Sequence, residues 1–197
     1  MVQRGQTLVE MLGMVLLIGL SAAIAIPQLG SAQRGAALRR ATENVRSQLW
    51  RARAEAVNTG MATALVFDRL SGGGWQCYVC RDGDGDGVRR ADLAAGRDLV
   101  VGRVLELEVG AVGFGILQGI RIPDPGGSGS LGGNMDDPVR AGSGNILTFT
   151  AQGTSSSGSI YLTDRKSSMR AIRIFGVTGR MRTLAWSVGW DRWRIAR

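Results

Sequence analysis

Three aspartates alternate with glycines at Asp82, Asp84 and Asp86, and Asp92 follows closely. Carboxylates at every second position can turn several oxygens toward one point, and calcium takes hard oxygen ligands, about six to eight at a time. Gly87 could supply the sharp turn after the third aspartate. An EF-hand would place its last acidic ligand where this chain has Leu93, so Asp92 or Asp98 would have to serve instead. Two readings stay open: a calcium loop with Asp82, Asp84, Asp86 and Asp92 as ligands, and a solvated acidic turn that tolerates its own repulsion. Cys77 and Cys80, the only two cysteines, stand just upstream. Two sulfurs in a chain without histidine make a poor zinc site. In an oxidising compartment the pair is expected to form a disulfide stapling the base of the acidic loop. A redox role would need the βαβ setting that this Cys-x-x-Cys lacks.

A second constellation closes the chain. Gly179-Arg180-Met181-Arg182 is accompanied by Arg170, Arg173, Arg192, Arg194 and Arg197, interleaved with Trp186, Trp190 and Trp193. Guanidinium forks bind phosphates bidentately and exposed aromatic rings stack on bases, so the composition suits nucleic-acid contact through Arg180, Arg182, Arg192 and Arg194. A basic turn beside core tryptophans is the structural alternative. No nucleophile–base pair, phosphate loop or catalytic carboxylate pair is present, and histidine, the commonest general base, is missing. An enzyme is not expected.

These residues need elements to hold them. With 197 residues, the chain can build one domain of ordinary size behind a leading helix. Thirty glycines against four prolines point to many turns and a β-rich head. The net charge of +8 divides into 0 for residues 1–30, +4 for 31–57, −3 for 58–159 and +7 for 160–197. Its ends can meet anionic lipid, nucleic acid or an acidic protein.

Met11 through Gln33 carries no charge, a stretch of the length a bilayer-spanning helix needs, about 20 residues. Pro27 is expected to kink or weaken the helix there. From Ser31 to Val57 the pattern becomes amphipathic, with Leu38, Ala41, Val45, Leu49, Ala52 and Ala56 forming one apolar stripe. Arg39, Arg46 and Arg53 mark another face, solvated or in contact with acidic neighbours or phosphates. Strands are expected at 61–67, 75–80, 99–109, 146–150, 159–163, 171–175 and 182–188, giving an α+β fold in which a long helix packs on antiparallel sheet. The Gly-, Ser-, Pro- and Asp-rich stretch 122–144 is expected as a long exposed loop.

One residue at the start is out of place in an ordinary anchor. A carboxylate at the head of an apolar helix costs about 2.5–3.5 kcal/mol to insert, yet Glu10 stands there, following Gly5-Gln6-Thr7-Leu8-Val9. This segment resembles the prepilin-peptidase site of type IV pilins and type II secretion pseudopilins. The resemblance implies cleavage after Gly5, N-methylation of the new amine at Gln6, and filament assembly through Glu10, which pairs with a neighbouring subunit's N-terminus. The family usually has Phe where this chain has Gln6.

The likeness continues near the end. Ile146-Leu147-Thr148-Phe149-Thr150-Ala151-Gln152-Gly153, then Ser159 to Leu162, Arg170 to Phe175 and Gly179 to Arg182 are similar to the head shared by GspH pseudopilins and FimT minor pilins. It implies a leader at 1–5, a transmembrane helix at 6–30, an amphipathic continuation at 31–57 and a periplasmic head at 58–197. The implied protein is a minor pseudopilin or pilin subunit in the inner membrane. Its partners would be other pilin-like subunits, the prepilin peptidase, the inner-membrane assembly platform and the membrane. It needs no cofactor, with calcium as the one the acidic loop admits. In FimT-like pilins a Gly-Arg-x-Arg motif is associated with DNA uptake, which makes DNA the alternative partner.

Overall fold

The computed structural model describes all residues except 1–7, 108–111, 128, 143 and 197, and within the first helix it leaves the side chains of 22 and 24–29 undescribed. Helix α1 (Leu8–Thr59) is 52 residues long and continues past Pro27 without interruption. Gly60 ends it in a left-handed conformation, φ 71°, donating its N–H to the Ala56 carbonyl at 3.0 Å. The expected stripe is the buried face: Leu38, Ala41, Val45, Leu49, Ala52 and Ala56 are all buried.

The head follows as β1 (Thr63–Leu70), β2 (Gly74–Arg81), α2 (Arg90–Ala94), β3 (Leu99–Val100), β4 (Leu105–Leu107), β5 (Gly113–Phe114), β6 (Val139–Ala141), β7 (Ile146–Phe149), β8 (Gly158–Thr163), β9 (Ser168–Phe175), β10 (Arg180–Ser187) and β11 (Arg194–Ile195). One antiparallel sheet runs β3-β2-β1-β7, with β4 also on β2; the other runs β11-β10-β9-β8-β5, with β6 also on β8. The fold is α+β, with α1 packed on antiparallel sheet.

The α1 stripe, Leu65, Phe67 and Leu147 of the first sheet, and Ile160, Ile172 and Ile174 of the second form one core. Each sheet also covers an outer face. On the first, Ala64, Val66, Cys80 and Ile146 lie under Val88 and Leu93. On the second, Tyr161, Met169, Ala171 and Trp186 lie under Ile116, Leu117 and Ile122.

That second cover corrects the expectation for 122–144. Ile122, Val139 and Ala141 are buried, Leu131 and Met135 pack on the outer cluster, and β6 pairs with β8. A glycine-rich stretch fills a core here because a few apolar residues at its ends and middle are held by strand pairing.

Among the described residues no helix is long and apolar enough to cross a membrane. The expected span 6–30 includes residues 22 and 24–29, whose side chains lie outside the described set, as do Gly5 and Gln6 entirely.

Candidate functional site

The acidic loop joins β2 to α2 and is built around two buried carboxylates. Asp82 accepts N–H bonds from Asp84 (3.2 Å), Gly85 (2.8 Å) and Gly87 (2.9 Å). Burial pushes its carboxyl up, but the amides of Gly85, Gly87 and Asp84 outweigh that and hold it below the ordinary aspartate value. Asp98, the second anchor, accepts from the N–H groups of Gly83 (3.2 Å) and Arg89 (3.0 Å).

Carboxylate oxygens of Asp82, Asp84 and Asp86 lie within 4.8 Å of one another, so these three can converge on a cation. Asp92 does not join them. It is buried in α2 and takes both Nε, at 2.8 Å, and Nη2 of Arg97. That corrects its assignment as a ligand: it stays close to the loop, but the Arg97 guanidinium stands on its carboxylate, between it and Asp84. Arg97 also reaches Asp84 at 3.4 Å, and Arg89 pairs with Asp86. The loop's repulsion is thus offset by its own arginines and amides.

Cys77 and Cys80 are free and buried, which corrects the expected disulfide. Side chains alternate across a strand, so residues three apart on β2 face opposite ways. Cys77 enters the central core and Cys80 the outer cluster of the first sheet. Burial pushes both thiols up to about 12, which keeps them protonated.

The C-terminal arginines divide in a way their sequence order hides. Register pairs Arg140 of β6 with Ser159 of β8, Ser159 with Arg173 of β9, and Arg173 with Arg182 of β10. Three arginines therefore stand in one row across four strands, on one face of the sheet. With Arg180 they line an open groove of about 720 Å³, which also takes in Phe175 and Val177 and has no carboxylate among its lining residues. Arg173 donates to the Pro125 carbonyl at 2.9 Å, and Arg140 to the carbonyls of Gly132 and Asn134. The guanidinium carbons of Arg173 and Arg182 lie 5.5 and 5.8 Å from the Phe175 ring centroid. The ring is thus shared by two cations.

Arg192 and Arg194 do not line this groove. Both are exposed, and Arg194 stacks over Trp190 at 4.1 Å. Arg170 leaves the row as well: three positions from Arg173, it faces α1, where burial and Arg39 lower its pKa. The tryptophans are structural. Trp186 donates its indole N–H to the Trp190 carbonyl at 2.9 Å, and Trp193 to the Pro123 carbonyl at 2.7 Å. Arg140 is the groove residue that the sequence reading missed. Its signal was Val139-Arg140-Ala141, an alternating triplet inside a stretch otherwise dominated by turn residues.

Helix α1 fixes the groove's upper rim. Arg53 donates to the Thr178 carbonyl at 3.3 Å in the β9–β10 turn, with its guanidinium carbon 5.5 Å from the Trp50 ring centroid. Gly179 sits beneath it at φ 58°, where a Cβ would lie 2.2 Å from the Gly153 oxygen. Only glycine fits, so Gly179 shapes the rim that carries Arg180. At the other end of the molecule Glu10 occupies the exposed first turn of α1, where the helix dipole favours a carboxylate. Leu8, Val9, Met11, Leu12 and Val15 to Ile18 are each more than half exposed in the isolated subunit.

No curated protein and no solved structure matches the chain. The model of one family, type II transport protein GspH, matches residues 41–178, which run from the amphipathic part of α1 to the β9–β10 turn. With its long helix packed on two antiparallel sheets and more than two thirds of its length matched, the chain belongs to the GspH family.

Proposed function

We propose that this chain is a minor pseudopilin of a type II secretion filament, made as a precursor, cut after Gly5 and assembled through α1. The family is structural and its members associate with other pseudopilins, so no catalytic step is assigned. The observation that carries the reading is the apolar section of α1. Its described part leaves large hydrophobic side chains uncovered, yet it continues without a break into a GspH head. Such a surface calls for lipid before assembly and for neighbouring helices after it. In this reading the inner membrane holds α1, the head lies in the periplasm, and the prepilin peptidase and assembly platform act on the N-terminal end. Glu10 then becomes a register charge, paired with the amine at Gln6 of an adjacent subunit, because a buried carboxylate tolerates only the position that supplies a cation.

Mass spectrometry of the protein extracted from its host membrane tests the processing. The expected mature chain begins at Gln6 with a methylated amine, and Gly5→Val keeps the leader. A chain that still begins at Met1 would overturn the reading. Glu10→Ala should leave processing intact while reducing cross-linking to neighbouring subunits.

A second reading, contact with DNA, is favoured by the groove of Arg140, Arg173, Arg180 and Arg182. Four guanidinium groups lining one groove suit a phosphate backbone. Gel shift of the full chain in detergent is the test, with loss expected for Arg180→Ala combined with Arg182→Ala. Arg192→Ala with Arg194→Ala should change binding little, since those residues stand outside the groove.

A further inference from the structure

The β8–β9 turn meets α1 at the level where the helix leaves the head. Gly30, Gln33, Arg34 and Ala37 of the helix and Asp164, Arg165 and Lys166 of the turn line a cleft of about 520 Å³. Asp164 is the one carboxylate among these residues; its Oδ1 is committed to the backbone, and its charge is also felt by Arg34. Its Oδ1 accepts the N–H groups of Lys166 (2.9 Å), Ser167 (2.8 Å) and Ser168 (2.8 Å). The turn is thereby fixed, with Arg165 and Lys166 exposed at its tip.

Position along α1 separates this cleft from the arginine groove. Arg34 marks the cleft and Arg53 the groove rim, nineteen residues apart in one helix, roughly 28 Å at 1.5 Å per residue. The cleft is the end of the head nearer the uncharged segment that closes at Gln33. If that segment lies in a bilayer, Arg34 stands within one turn of its outer end, and the tip of the β8–β9 turn is beside it.

We infer that Arg34, Arg165 and Lys166 form a foot that seats the head on anionic lipid phosphates while the subunit waits in the membrane. This rests on the anchored-helix reading above. Guanidinium and ammonium groups at a bilayer surface favour anionic over neutral headgroups by about fivefold per basic residue. The arginine groove stays too far up the helix to compete. Seating the head also sets its tilt, because contact is made on one side of α1 only.

The test uses the full chain in vesicles of phosphatidylcholine, with or without phosphatidylglycerol, carrying a headgroup-attached quencher. A fluorophore is placed at Ser167→Cys, with Cys77 and Cys80 left buried. Flotation with the neutral vesicles reports insertion of the helix. If the chain does not float, the anchored-helix reading falls, and this inference falls with it. If it floats, quenching should rise in the anionic vesicles and return to the neutral level in about 1 M salt. Arg165→Glu with Lys166→Glu should lower the seated fraction at least fivefold. Arg180→Glu with Arg182→Glu, an equal charge change at the distant groove, should leave it unaltered. Equal quenching in both lipids, or an equal loss from both double variants, would overturn the foot even with the helix inserted.

Discussion

Arg173 and Arg182 stand directly opposite one another on β9 and β10, two like charges in a single cross-strand pair on the groove face. Such a pair is destabilising in a sheet, where opposite charges would contribute about 0.2–1 kcal/mol. The Phe175 ring, which both guanidinium groups approach, and the Pro125 carbonyl offset part of the repulsion. An anion in the groove would offset the remainder.

Arg182→Glu should therefore raise the stability of the free protein, by about 0.2–1 kcal/mol, while weakening any anion it binds. Denaturant titration gives the first number and gel shift with double-stranded DNA the second. A variant less stable than the parent would show that the like-charge pair is not under strain.

Gly179→Ala should be among the costliest single changes in the head. It forces a left-handed residue to carry a Cβ placed 2.2 Å from the Gly153 oxygen. A loss of about 1–3 kcal/mol is expected, with reduced anion binding because the rim bearing Arg180 must move. A melting curve and the gel shift together check it.

The acidic loop should depend more on hydrogen bonds than on metal. Asp82→Ala strips three amides of their acceptor and should cost about 1–3 kcal/mol. Because Arg89 and Arg97 already pair with Asp86 and Asp84, chelator or added calcium should leave the parent's melting temperature unchanged. A calcium-dependent rise that Asp84→Asn abolishes would instead establish the cation reading.

Acid sensitivity follows from the same carboxylates. Asp82 and Asp164 both have folded pKa values held below the ordinary one. Each contributes stability that is fully present above the unfolded value, about 3.9, and is lost as pH falls through the folded value. Melting temperature should be flat near neutrality and fall below about pH 4, and Asp82→Asn should fall less over that range.

Cys77 and Cys80 should resist alkylation at about pH 8 in the native protein and react fully in denaturant. Mass spectrometry reads the two adducts. A native protein already missing both thiols would mean that β2 had rearranged to bring opposite-facing residues together.

Much of the scaffold could be read from periodicity, because one stripe and a set of short alternating runs each had a single face to bury. Leu38 to Ala56 repeat at helical spacing, and all six stripe residues are in the core. The candidate sites were harder to read. Asp82, Asp84 and Asp86 are near one another because they are near in sequence. Arg140 joins Arg182 on one face through the pairing of β6 with β8, β8 with β9 and β9 with β10; the last two are hairpins, but β6 reaches β8 past β7, a contact no local pattern encodes. Asp92 was misread for a related reason: a five-residue helix turns it toward Arg97. The strand expected at 99–109 is divided between β3 and β4, with Val109 outside the described residues.

Helix α1 passes from its apolar section into the head without a break and is held beside Asp164 at one level and to Thr178 at another. It therefore acts as a key shaft, and the compass bearing of the arginine groove is set by rotation about it. One residue inserted between Pro27 and Gly30 would turn the head by about 100° relative to the apolar section, with the contacts of α1 to the head from Gly30 onward preserved. In a filament built on those apolar sections, such an insertion would redirect each groove around the axis without unfolding a subunit.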